Sequence, residues 1–198
     1  MVTTLDSYSE TNYLDDYIAA NPASVTAIGQ SFITPNDGVS YNLDSAKFYI
    51  NNNSGATGTC YAKLYAHTGT YGSTGLPTGG ALATSDAYDC ATIGASYALR
   101  TFTFSGAQRV SLSPNANYCI VADFGTFNNW MRVGIDSSTP SHAGNDVRYN
   151  AGWIYNPTVG LWDIIFYVYG EAPTAPSSIK SGANIASMVA LINGGVIC

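Results

Sequence analysis

Between Leu43 and Leu112 the chain runs in short stretches that alternate apolar and polar residues: Ala46-Lys47-Phe48-Tyr49-Ile50, Cys60-Tyr61-Ala62-Lys63-Leu64-Tyr65 and Leu99-Arg100-Thr101-Phe102-Thr103-Phe104. A period of two sends successive side chains to opposite faces of a strand, so each stretch offers one face to a core and one to water. Turns rich in Gly, Pro, Ser and Thr separate the stretches. In Pro35-Asn36-Asp37-Gly38, Pro presets φ and Gly accepts the positive φ that a tight turn needs. Strands are expected over 25–33, 43–50, 59–67, 97–104, 108–112, 118–124 and 161–169. Many short strands without a long helix predict an all-β fold, an antiparallel β-sandwich of jelly-roll-like character. Phe48, Leu64, Phe102, Ile120 and Phe166 are its expected core. Tyr65 and Tyr118 read as core as well, and Trp162 as part of a buried last strand.

The style changes after Gly170. Glu171 to Lys180 contains two prolines and reads as a semi-stiff linker. In Ser181 to Cys198, the residues Ile185, Met188, Val189 and Ile192 fall at helical spacing, and Gly194-Gly195 would stop a helix. A helix this short needs something to pack on, so it reads as a docking tail. The organisation expected is an N-terminal arm (1–23), a sandwich (24–170), a linker (171–180) and an apolar tail (181–198).

Charge excludes several functions. Only 10% of the 198 residues are charged and the net charge is -6. The seven basic residues stand singly, at Lys47, Lys63, Arg100, Arg109, Arg132, Arg148 and Lys180, so no basic stripe exists for nucleic acid or an anionic membrane. Ser, Thr, Asn, Gly and Tyr fill the surface instead, a palette common in extracellular and virion proteins. Met1-Val2-Thr3-Thr4-Leu5-Asp6 lacks the basic and apolar regions of a signal peptide, and no apolar run reaches the ~20 residues of a membrane span.

The four cysteines, Cys60, Cys90, Cys119 and Cys198, have no metal-binding spacing. Cys60 and Cys90 flank one segment and can pair. Equally, Cys60 and Cys119 suit small buried strand positions, and the spacing leaves both open. Asp136, Asn145 and Asp146 offer oxygen ligands for a calcium ion, without the spacing of an EF-hand. Ser141, His142 and Asp146 contain the residue types of a hydrolytic triad, but sequence neighbours rarely form one and no G-x-S-x-G elbow is present. The only glutamates, Glu10 and Glu171, lie near the ends of the sandwich, which argues against a glycosidase pair. Trp130 and Trp153 sit beside polar loops, where an indole can stack on a sugar face.

Several phrases share an order with a known family: Ala27-Ile28-Gly29-Gln30-Ser31-Phe32, Tyr41-Asn42-Leu43-Asp44-Ser45-Ala46, Leu76-Pro77-Thr78-Gly79-Gly80-Ala81, Val110-Ser111-Leu112-Ser113-Pro114-Asn115-Ala116-Asn117-Tyr118 and Phe166-Tyr167-Val168-Tyr169-Gly170. Over 24–170 the chain resembles the choice-of-anchor type β-sandwich domains of bacterial exported proteins and of phage structural proteins. The resemblance implies a sandwich and no catalytic residues. The membrane-spanning, basic tail of anchored members is not seen after the last strand. The expectation is therefore a non-enzymatic structural protein of a virion or extracellular assembly, of capsid decoration or fibre type. Its partners would be other protein subunits, its own or a second kind, bound through the terminal segments. A secreted carbohydrate-binding module, using Trp130 and Trp153 on surface glycans, is the second expectation.

Overall fold

The computed structural model describes residues 1–19, 25–125, 129–155 and 162–173, with the side chains of residues 18 and 19 set aside. The apolar tail with Ile185, Met188, Val189 and Ile192, and most of the linker, lie outside the described residues. Two antiparallel sheets pack face to face. The first runs in the order β1 (Val2–Tyr8), β15 (Phe166–Glu171), β4 (Tyr41–Asn51), β11 (Met131–Asp136) and β14 (Asp163–Ile164). To it are added β2 (Asp15–Ala19) on β11, and β8 (Ala98–Thr103) and β9 (Ser111–Leu112) on β4. The second runs β13 (Trp153–Ile154), β12 (Asp146–Tyr149), β3 (Ala27–Ile33), β10 (Asn117–Asp123), β5 (Thr59–Thr68) and β6 (Leu76–Thr84), with β7 (Tyr88–Asp89) on β5. The expected all-β sandwich is thus observed.

Side-chain parity explains the layering. In β5 the residues Cys60, Ala62 and Leu64 turn inward, while Tyr61, Lys63 and Tyr65 face out. In β15 Phe166 and Val168 turn inward against Phe48 and Ala46 of β4. The five expected core residues are at most 1% exposed. The segment 1–23, read as an arm, contributes two strands: β1 lies antiparallel to β15, and β2 lies on β11.

The central strands β3 and β10 are buried on both faces. Their inner face meets the main core. Their outer face carries a second small apolar cluster of Ala27, Cys119, Val121 and Val147, roofed by Tyr65, Leu76 and Trp153. Gly29 sits in the middle of this sheet because nothing larger fits. A Cβ there would stand 2.0 Å from Ile120 O and 2.6 Å from Val121 Cα.

Polar residues tie the two sheets together from within. Gln30 of β3 is fully buried, donates to Asp163 Oδ1 at 2.8 Å and accepts from Ile164 N at 3.0 Å, so one side chain spans from the second sheet to β14 of the first. A buried amide is tolerable only when its donors and acceptor are used, as they are here.

Candidate functional site

The second apolar cluster forms the base of a groove, and sheet register dictates which side chains line it. Ala27 pairs with Tyr149 on one side and with Asp123 on the other, and Tyr149 pairs with Trp153. Directly opposed residues share a face, so Trp153, Tyr149, Ala27 and Asp123 stand in one row across the outer surface of the sheet. Tyr65 belongs to the same face and leans over Cys119, its register partner. Its ring meets that of Trp153 edge to face at 5.1 Å, and Tyr149 meets Trp153 the same way at 5.1 Å. Gly79, Gly80 and Ala81 of β6, which add little side-chain bulk, and Thr26 complete the lining. The cavity so enclosed measures about 300 Å³, at the lower end of the ~300–1,000 Å³ typical of small-ligand sites.

The groove is lined by polar and apolar surface in similar measure, and Asp123 is the charged residue among its lining. Lys63 Nζ donates to Asp123 Oδ2 at 2.6 Å, and Asp123 Oδ1 accepts from Gly125 N at 2.8 Å. Both groups remain about a quarter exposed, so the pair adds only about 0–1 kcal/mol to stability. Burial depresses the lysine's affinity for its proton, but the Asp123 carboxylate outweighs this and holds its pKa above the ordinary value. Burial also raises the Tyr65 pKa, which keeps its hydroxyl protonated as a donor. The site therefore presents three aromatic rings and a carboxylate whose charge the neighbouring Lys63 balances.

Of the two expected tryptophans, Trp153 is in the groove. Trp130 is 41% exposed but is not among the groove's lining residues. It follows the segment that crosses from β10 to the other sheet, and its carbonyl accepts from Ser54 Oγ. Tyr65, expected in the core, faces outward because Leu64 beside it faces in. Tyr118 and Trp162 pack against the main core and are partly buried.

The three oxygen donors suggested for calcium are occupied by the protein. Asp136 accepts from Tyr8 OH at 2.7 Å and from the backbone of Ser138 and Thr139 at 3.1 Å each. Burial alone would raise its pKa, but these three donors together hold it below the ordinary carboxylate range. Asn145 donates to Gly75 O and accepts from Ser31 Oγ. Asp146 is ion-paired with Arg148 at 2.9 Å, and that guanidinium lies over the Trp162 ring. Among the described residues no three His, Cys, Asp or Glu side chains stand close enough to hold a metal.

His142 is committed to the interior. Its Nδ1 accepts from Gly144 N at 3.0 Å and faces Gln30 Nε2 at 3.2 Å, so the ring proton sits on Nε2, 3.3 Å from Asp6 Oδ1. The acid beside it is Asp6 and not Asp146, while Ser141 Oγ faces Tyr8 OH at 3.4 Å. A buried imidazole bonded in this way braces β1 against the 137–145 loop, and its ring bonds among the described residues go to Asp6, Gln30 and Gly144. Among the described residues no helix is long and apolar enough to cross a membrane.

No family model matches the chain, and no curated protein matches it. Among solved structures, it is similar to the cysteine protease and lectin-like domains of Cwp84, a surface layer associated protein of Clostridium difficile. The identity is 13% and the TM-score 0.44, over 80% of this chain and 36% of that one.

Proposed function

We propose that the chain is a non-catalytic carbohydrate-binding β-sandwich whose site is the Tyr65–Tyr149–Trp153 groove. The observation that carries this is the groove's composition: three aromatic rings and Asp123 line a cavity of about 300 Å³, and Lys63 is ion-paired with Asp123. A pyranose has an apolar C–H face and a rim of hydroxyls. Aromatic walls desolvate the face, while a carboxylate accepts from two neighbouring hydroxyls and an ammonium donates to a third. Shallow, preformed and built on strands, the groove holds such a ligand at little ordering cost. The absence of a basic patch favours neutral sugars over sulfated or phosphorylated ones.

A glycan array probed with the full chain tests this. Binding to neutral glycans is expected, lost in Trp153→Ala and Tyr65→Ala with unchanged circular dichroism, and retained in Trp130→Ala. Equal binding by all four proteins, or none by the wild type, refutes the assignment. The virion or assembly role, and membership of the choice-of-anchor type domains, remain proposals. The former rests on Ile185, Met188, Val189 and Ile192, and is tested by deleting that tail.

A further inference from the structure

We infer that Cys60 and Cys90 are a disulfide in the protein folded under oxidising conditions. Both side chains are fully buried in the main core, Cys60 on β5 and Cys90 in the 3-10 turn that follows β7. Both thiols aim at one acceptor, Tyr88 O, at 3.6 Å from Cys60 Sγ and 4.0 Å from Cys90 Sγ. Both are free thiols in this structure, and the neighbouring Cys90 together with burial raises the Cys60 pKa.

The backbone on either side is pinned. Cys60 pairs with Tyr88 across the β5–β7 ladder, and Cys90 N donates to Gly58 O at 2.9 Å. The Asn52 side chain donates to Cys90 O at 2.9 Å and to Ala56 O at 2.7 Å. Both thiols are thus held beside one carbonyl by backbone that is fixed on either side, the starting arrangement from which a disulfide can close. Cys119 cannot compete, because it lies on the opposite face of the sheet beneath Tyr65 and Trp153.

The chemistry closes with a disulfide oxidant such as glutathione disulfide. Each thiol loses its proton, an S–S bond forms between Cys60 and Cys90, and the two electrons and two protons leave as two molecules of glutathione. Because neither sulfur is accessible after folding, the exchange precedes the closing of β7 over β5. The ring so formed contains Lys63, Tyr65 and Gly79 to Ala81, so one whole wall of the groove becomes covalently closed. The inference stands whether or not the groove binds a sugar.

The test is a thiol count on the full chain, refolded with reduced and oxidised glutathione and, separately, exported to a bacterial periplasm. Alkylation in denaturant should label two of the four cysteines. Trypsin should release peptides 48–63 and 64–100 joined until reduction. The Cys60→Ser/Cys90→Ser double variant should melt several degrees below the oxidised wild type, about where the reduced wild type melts. Four labelled cysteines in both preparations, or a bond that engages Cys119 or Cys198, overturns the inference.

Discussion

Replacing Gln30 by Leu removes the polar bridge between the sheets while nearly conserving volume. Three partners lose a bond, and one of them, His142 Nδ1, keeps its bond from Gly144 N. The Ile164 N–H loses its acceptor, at about 1–3 kcal/mol, and the buried Asp163 carboxyl loses one of its donors, at about 1.5–3 kcal/mol. Relief from burying an amide returns about 1 kcal/mol. The net loss is about 2–5 kcal/mol, a large share of the roughly 5–15 kcal/mol typical of a domain. The penalty also depends on pH. Burial raises the Asp163 pKa, although its bonds to His142 N and Gln30 work against this. The native state therefore holds that proton more readily than the unfolded chain, and the carboxyl's contribution to stability is lost as pH rises from its ordinary value through the raised one. Without the Gln30 donor the ionised form is poorer still. Urea unfolding of wild type and Gln30→Leu should show a larger midpoint gap at about pH 7 than at about pH 4, with unchanged slope. A gap below about 0.5 kcal/mol, or one equal at both pH values, would show that the bridge does not hold the sheets.

Gly29→Ala should cost about 3 kcal/mol or more, because its Cβ would meet backbone atoms that no rotamer can move. Gly38→Ala, in open space at φ +76°, should cost only about 1–2 kcal/mol, and thermal melts of the two variants compare them directly. Deleting 181–198 should leave the melting temperature nearly unchanged but abolish incorporation into an assembly, read by sedimentation with its partner subunits. Normal incorporation of the truncated chain would remove the docking role.

The sandwich was legible because parity is local. The runs in β4, β5, β8 and β15 name their own inward faces, and the five core residues followed from that. The groove was half legible. Trp153 stood out as an indole beside a polar loop, but Tyr65 was taken for core by its chemistry, when the inward Cys60, Ala62 and Leu64 already assign it to the other face. Asp123 and Tyr149 carry no such signal alone. They become a site only through the register that sets both against Ala27. The inner network was not legible at all. Asp6, Gln30, His142 and Asp163 lie far apart in the chain, and their meeting depends on how the two sheets are superposed.

The alternation in β5 separates two kinds of selection. Cys60, Ala62 and Leu64 answer to the packing of the interior, where a change of one methylene is felt. Tyr61, Lys63 and Tyr65, each a single position away, answer to the outer surface, where Tyr65 packs on Trp153 over the second cluster and Lys63 pairs with Asp123. Substitutions at the odd-numbered positions thus carry a smaller folding cost than those at the inward ones. Randomising Lys63, Tyr65, Asp123, Tyr149 and Trp153 makes a compact library on a scaffold whose foldability is encoded largely in the neighbouring residues, and under the proposed function the same arithmetic would let ligand preference drift while the scaffold stays fixed.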